Sequence, residues 1–174
     1  MSSFTSLKSL NLSRNRLTAV AAELFALKTL ENLNLADNRI KELPREIGQL
    51  GRLKKLLLDK NQLERLPPEI AVLKNLEVLE CGDNHLTVIP REIGDLAALV
   101  ELTVEGNRLK ELPEELGRLR DIKVLKASRN QLGSFPTSLL TGTKIARIEI
   151  EDNPFTVDQF RELPGCTEVW IFPP

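Results

Sequence analysis

Apolar residues alternate with polar ones over short stretches of this chain, and each stretch ends at an asparagine. Residues 30–40 have the frame Leu30-x-x-Leu33-x-Leu35-x-x-Asn38-x-Ile40, and Asn15 and Asn38 lie 23 positions apart. Alternation around Leu33 and Leu35 predicts a short β-strand with one buried face. The same frame returns along the whole chain, in phase with Asn15, Asn38, Asn61, Asn84, Asn107, Asn130 and Asn153. We therefore predict stacked repeats whose strands lie side by side.

A second pattern occurs in the segments that connect the predicted strands. Residues 43–50 are Leu-Pro-Arg-Glu-Ile-Gly-Gln-Leu, and close copies occur in the next three repeats. Proline fixes φ and lacks a donor, so Pro44, Pro67, Pro90 and Pro113 are predicted at the first position of a helical turn. A glutamate two residues later favours the positive end of that turn. The isoleucine and leucine that follow are predicted to point back into the core.

The two patterns together resemble the leucine-rich-repeat family, in its 23-residue intracellular form LxxLxLxxNxLxxLPxxIxxL, over nearly the whole chain. The resemblance extends to the repeat domains of Ras-binding and polarity scaffolds. It implies an α/β leucine-rich-repeat solenoid: a curved right-handed superhelix with a parallel β-sheet on its concave face and short helical or 3₁₀ turns on its convex face. It also implies that each repeat asparagine bonds backbone groups of its own turn and of the next.

We predict a single domain over residues 1–174. The chain begins in the middle of a repeat unit, with Met1 and Phe4 at the frame positions of Ile47 and Leu50. A helical cap element is expected at 157–163, followed by a last strand. The predicted repeats lie at 7–29, 30–52, 53–75, 76–98, 99–121, 122–144 and 145–165, with a C-terminal cap at 156–174.

Composition and charge exclude several classes of function. The formal net charge is −1, and basic residues are not massed on one side, so neither nucleic acid nor an anionic membrane is an expected partner. No apolar stretch approaches the roughly 20 residues that span a bilayer. Cys81 and Cys166 lie far apart and suggest neither a disulfide framework nor a zinc site. Unpaired thiols and a start that is unlike a signal peptide predict a cytoplasmic protein, and we expect a monomer.

Candidate catalytic groups are few. Cys81 and His85 could be a nucleophile and its base, but Cys81 occupies a core position of the frame and His85 lies past the strand. A single histidine provides no metal-ligand set, and no glycine-rich phosphate loop is present. Glu80, Glu101 and Glu105 could act as paired carboxylates, yet an open sheet offers no pocket that excludes water. We predict a protein that is not an enzyme and uses no cofactor or metal.

The outward strand positions form the candidate binding surface. Its charges occur in bands: basic in the third repeat, acidic in the fourth and fifth, basic again in the sixth, and mainly acidic in the seventh. Bands of this kind can pair with each other, steer a charged partner, or only keep the surface solvated. Trp170 is either a binding residue or is packed beneath the C-terminal tail. The predicted partner-binding residues are Lys55, Leu57, Glu80, Glu101, Thr103, Glu105, Lys126 and Trp170.

Three functions fit these observations. The first is a protein-interaction module or scaffold that binds another protein, such as a small GTPase or signalling protein, on its concave face. The second is the substrate- or ligand-recognition fragment of a larger signalling enzyme, receptor or ubiquitin-ligase effector, which the abrupt N-terminus favours. The third is a structural protein that associates with itself through the open ends of the sheet.

Overall fold

A parallel β-sheet with one strand from each repeat runs through the molecule. The computed structural model describes residues 6–166 and 170–171. Neighbouring strands are hydrogen-bonded in chain order, and all seven pairs are parallel. The strands are β1 (Ser9–Asn11), β2 (Asn32–Asn34), β3 (Lys55–Leu57), β4 (Val78–Glu80), β5 (Glu101–Thr103), β6 (Val124–Lys126), β7 (Arg147–Glu149) and β8 (Trp170–Ile171).

The strand register follows the repeat period. Leu33 of β2 pairs with Leu56 of β3, which pairs with Leu79 of β4, and all three side chains are buried. Because successive side chains of a strand point to opposite faces, the first and third residues of strands β1 to β7 point outward. The predicted alternation is confirmed.

Short helices lie behind the sheet. Five are 3₁₀ helices: η1 (Ala22–Ala26), η2 (Arg45–Gln49), η3 (Pro68–Val72), η4 (Arg91–Asp95) and η5 (Glu114–Arg118). Two are α-helices, α1 (Thr137–Gly142) and α2 (Val157–Arg161). Together with the sheet they form the predicted solenoid, whose core is made of the leucines and isoleucines of the repeat frame.

The predicted position of the repeat prolines is wrong by one residue. Pro44 precedes η2 as its N-cap, with an extended ψ of 154°, and Pro67, Pro90 and Pro113 occupy the same place in their repeats. The carbonyl of Pro44 accepts the first helical hydrogen bond, from the N–H of Ile47 at 3.1 Å. A fixed φ near −70° suits this position as well as the first turn. The glutamates lie in the first turn, as predicted.

The repeat asparagines join consecutive repeats. The Oδ1 atom of Asn84 accepts the N–H of Leu63 at 3.0 Å, and its Nδ2 donates to the carbonyls of Leu58 and Cys81 at 3.0 and 3.1 Å. Leu58 and Leu63 belong to the preceding repeat, whereas the family resemblance implied the next one. Asn84 comes after strand β4, and its side-chain amide extends toward the repeat that contains β3.

Glycine allows the helical turns to stack closely on the side opposite the strands. A Cβ atom on Gly94 of η4 would lie 2.2 Å from the carbonyl oxygen of Glu115 in η5, and one on Gly117 would lie 2.5 Å from Cβ of Ser138 in α1. Such contacts are too short for any side chain. At these two places, glycine therefore allows neighbouring turns to approach closely.

Aromatic residues close the C-terminal end. The rings of Phe135 and Phe160 meet edge to face at 5.0 Å, and Phe155 packs beside both. Helix α2 begins in a capping box between Thr156 and Gln159. It ends at Arg161, earlier than the predicted 163, and the predicted last strand follows as β8. Met1 and Phe4, and much of the predicted cap beyond residue 166, lie outside the described residues.

Candidate partner-binding face

The outward residues of the strands, together with the second and third residues that follow each strand, form what we call the open sheet face. Lys55 and Leu57 lie on β3, Glu80 on β4, and Lys126 on β6. Glu101 and Thr103 lie on β5, and Glu105 follows two residues after that strand. The structure thus brings seven of the eight predicted residues onto four adjacent strands. The eighth, Trp170, lies on β8, and its side chain is outside the described residues.

Three ion pairs join different repeats across the open sheet face. Lys126 Nζ donates to Glu101 Oε1 at 2.8 Å, and this hydrogen bond raises the pKa of Lys126. Arg129, just past β6, lies 3.1 Å from Asp83 and 3.6 Å from Glu105. The predicted pairing between charge bands is confirmed here. Much of the charge of Glu101, Glu105 and Lys126 is consequently balanced within the protein.

Arg129 reaches Asp83 by passing over the repeat between them. The residue at the matching position of that repeat is Gly106, with a left-handed φ of +62°, and a Cβ there would lie 2.3 Å from Asp83 Oδ1. The same position is left-handed in other repeats, with φ between 49° at Asp83 and 57° at Arg14. Only in the fifth repeat does a glycine leave this position empty.

Two carboxyl groups meet in the middle of the open sheet face. Burial raises the pKa of Glu80 to about 7, and a hydrogen bond to Asp59, the charge of Asp59 and the charge of Glu101 add to this effect. Lys126 opposes it. Asp59 Oδ1 also accepts the N–H of Gly82 at 2.6 Å, which holds that carboxylate beside Glu80. Glu80 therefore holds a proton to a higher pH than an ordinary surface glutamate does.

Asp59 was not among the predicted partner-binding residues. It lies two residues after β3, where the repeat frame is variable, and its contact with Glu80 joins different repeats. A weak signal was present in Gly82, since a Cβ at that position would lie 2.9 Å from Asp59 Oδ1. A glycine one period after an acidic residue indicates that the carboxylate occupies the space of the missing side chain.

Thr103 differs from the expectation for an exposed contact residue. It points outward, yet only 7% of its surface is exposed, because side chains of the neighbouring strands surround it. Its Oγ1 atom is buried and makes no hydrogen bond with any part of the chain that the structure describes. A buried hydroxyl without a partner is uncommon and marks a place where a ligand group could bind.

Apolar and open surface surrounds these polar groups. Leu57, Val78 and Val124 are half-buried on the open sheet face. Asp59 and Glu105 also line a depression of about 380 Å³ at the strand ends. A partner could insert side chains here.

The candidate nucleophile lies away from the surface. Cys81 is fully buried in the core, and burial raises the pKa of its thiol well above the ordinary value. Within residues 6–166 and 170–171, no group of three or more histidine, cysteine or acidic residues could hold a metal ion. No helix in that part of the chain has the length and apolar character needed to cross a membrane.

Comparison with known families gives a match over more than half of the chain. A family model described as "Leucine rich repeat" matches residues 5–63 and 51–109. A search of curated proteins gives no match.

Several solved structures are similar to this chain. One is the LRR ectodomain of the plant membrane receptor kinase GASSHO1/SCHENGEN3 from Arabidopsis thaliana in complex with CASPARIAN STRIP INTEGRITY FACTOR 2, with 34% identity and a TM-score of 0.75. Another is PEPR1–AtPEP1, with 26% identity and a TM-score of 0.77. Each alignment covers 86% of this chain, but only 19% and 22% of the other chains. This chain therefore spans about a fifth of their length.

An LRR protein of Leptospira interrogans is also similar, with 26% identity over 97% of this chain and 61% of that chain. Its TM-score is 0.44.

Proposed function

Because this chain belongs to the leucine-rich-repeat family, we propose that it is a binding module whose open sheet face docks on another protein. Domains of this family generally mediate protein–protein interaction. The observation that carries the proposal is the composition of the face between β3 and β6. Apolar Leu57, Val78 and Val124 lie there among carboxylates and lysines, and all three keep part of their surface exposed. Mixed surfaces of this kind are typical of protein interfaces.

The similar structures support a peptide or protein as the partner. The GASSHO1/SCHENGEN3 ectodomain was solved in complex with CASPARIAN STRIP INTEGRITY FACTOR 2. Within our proposal, the partner of this chain is another protein, and a small GTPase or signalling protein is one candidate. We further propose that the protein is a monomer, which sedimentation over a range of concentrations would test.

A second candidate function is ligand recognition within a larger signalling enzyme, receptor or ubiquitin-ligase effector. The receptor-kinase ectodomain favours it, since this chain matches only 19% of that protein's length. The same open sheet face would bind the ligand in that case. The full-length reading frame distinguishes the two functions, because only the second requires a further domain.

We also propose a cytoplasmic location. Cys81 and Cys166 are both free, as expected in a reducing compartment. Fractionation of cells that express the full reading frame tests this, and recovery in the secreted fraction would contradict it.

Charge reversal on the open sheet face is the direct test of the proposed function. Glu80→Lys/Glu105→Lys should remove partners that the wild-type protein retains in an affinity pull-down read by mass spectrometry. The matched control is Glu64→Lys/Glu111→Lys, which makes the same charge change at exposed positions of the loops that leave the sheet. Partners lost equally in both variants, or in neither while circular dichroism shows intact folds, would place the binding surface elsewhere.

A further inference from the structure

We propose that Asp59, Glu80 and Thr103 form a recognition site for an arginine side chain of the partner protein. This inference rests on the proposed function and deepens it, since it assigns the chemistry of one contact within the open sheet face. The three residues come from three successive repeats. Thr103 pairs with Glu80 in the strand register, and Asp59 follows the strand on the other side.

The acceptor groups of this site are held in place before any partner arrives. Asp59 Oδ1 accepts the N–H of Gly82 at 2.6 Å and also lies in hydrogen-bond contact with Glu80. Two carboxyl groups in contact repel each other when both are ionised, and a proton between them relieves the repulsion. A cation that donates to both oxygens would do the same without the proton.

Thr103 provides an independent indication of a ligand. Its side chain lies on the same side of the sheet as that of Glu80, the residue is more than nine-tenths buried, and its hydroxyl finds no acceptor or donor among the described residues. A buried polar atom without a partner costs free energy. An N–H group inserted between Thr103 and Glu80 would satisfy it.

Lys126, the basic group that acts on Glu80, is engaged with another carboxylate. Among the groups that act on Glu80, Asp59 and Glu101 are acidic and Lys126 is basic. Lys126 Nζ donates to Glu101 at 2.8 Å, so its hydrogen bond is directed to β5 and not to Glu80. Lys55 of β3 is exposed. The centre of the face therefore has an excess of carboxylates for a partner to balance.

A guanidinium fits this arrangement better than an ammonium. It carries five N–H donors in a planar fork, which matches two carboxylates and a hydroxyl. Its methylene stem needs apolar surface, and half-buried Leu57 and Val78 lie beside Glu80 on β3 and β4. Each part of an arginine side chain thus meets a matching group.

Binding of the cation should release the proton of the carboxyl pair. The pKa of Glu80 is raised to about 7, so the ionised form that binds a cation grows from a small fraction at pH 6 to nearly all at pH 8. By linkage, the affinity for a cation should rise about tenfold between these two pH values. A cation site made of ordinary surface carboxylates would show no change in this range.

The probe is N-acetyl-arginine amide, added to the whole chain and followed by NMR. We expect saturable shifts of the Glu80 side-chain carboxyl carbon and the Thr103 amide in the millimolar range, about tenfold tighter at pH 8 than at pH 6. N-acetyl-citrulline amide has nearly the same shape without the charge and should produce no shift. Equal binding of citrulline, or no saturable shift with arginine at either pH, would overturn the proposal.

Variants locate the site and separate this inference from the proposed function. Glu80→Gln should abolish the shift at Thr103, and Asp59→Asn should weaken it at least several-fold. Glu111→Gln, an exposed carboxylate outside the open sheet face, is the matched control and should bind as the wild type does. If arginine fails to bind while Glu80→Lys/Glu105→Lys still loses its protein partner, the arginine site is refuted and the binding module stands.

Discussion

Asn84 illustrates how one side chain serves two repeats. Its amide makes four hydrogen bonds to backbone groups while only 4% of the residue is exposed. Asn15 occupies the same position in the first repeat, but it is exposed, and among the described residues its side chain bonds Leu12 and Ser13 of its own turn alone. The same residue type therefore contributes differently at the end and in the middle of the molecule.

Replacing Asn84 by alanine should lower the free energy of unfolding by about 3 kcal/mol, because a buried N–H and several carbonyls lose their partner. Urea denaturation followed by circular dichroism measures this. Asn15→Ala is the matched control and should cost well under half as much, since water can reach the groups it leaves. Similar losses in both variants would contradict this account.

Glu80 should make stability depend on pH. Its pKa is raised in the folded protein, so between about pH 4.5 and 7 the folded state holds a proton that the unfolded chain releases. Stability should therefore fall as pH rises through this window. Glu80→Gln should flatten the fall and raise the free energy of unfolding at pH 8 by about 1 kcal/mol, a figure reduced for solvent screening. The same pH slope in Glu80→Gln and Glu111→Gln would argue against this role.

The helical turns are stabilised by close packing on their neighbours more than by the helix propensity of their own residues. Turns of five residues are too short to be stable alone and are held by their neighbours. Gly94 of η4 lies against the backbone of η5, and Gly117 of η5 lies against α1. Glycine thus allows the close packing of η4 on η5 and of η5 on α1.

Gly94→Ala should destabilise the protein by about 1–3 kcal/mol, since its Cβ would overlap the carbonyl of Glu115 and force the two turns apart. Thermal and urea unfolding both report the change. Gly51→Ala is the control, because a Cβ at that position has no neighbour within 4 Å. If Gly94→Ala is as stable as Gly51→Ala, the close approach of the turns is not needed.

The sequence predicts these elements well wherever the repeat frame determines them. Strand positions, core leucines and the glutamates of the turns follow from spacing alone, because each has much the same environment in the internal repeats. Contacts between variable positions of different repeats cannot be predicted from spacing. The carboxyl pair of Asp59 with Glu80 and the burial of Thr103 depend on which side chains become neighbours across the sheet. In the sequence, the only sign of the position of Asp59 is the glycine one repeat later, Gly82.

For the molecule as a whole, each repeat is stabilised chiefly by the repeats on either side of it. Leu102 in the central strands is fully buried, whereas Leu10 at the corresponding position of β1 is only partly buried. Strand β1 has one described neighbour, and β5 has two. Stability should consequently be highest in the middle of the sheet.

Leu102→Ala should cost about 3–5 kcal/mol, and Leu10→Ala should cost less than half of that. Native-state hydrogen exchange should accordingly show the slowest amides in β4 and β5 and faster ones in β1. Uniform exchange along the sheet, or equal losses for the two leucine variants, would mean that the ends are held as firmly as the centre.

The passage of Arg129 over Gly106 restricts how the array could grow or shrink in evolution. Each repeat asparagine from Asn38 to Asn153 bonds the same backbone atoms in the repeat before it. A duplicated unit of 23 residues inserted among the first three repeats would therefore keep these hydrogen bonds. The ion pair between Asp83 and Arg129 instead joins residues that are two repeats apart. Its 3.1 Å distance requires that the repeat between them has no side chain at the matching position, Gly106. Units four to six are therefore expected to be inherited as one indivisible block.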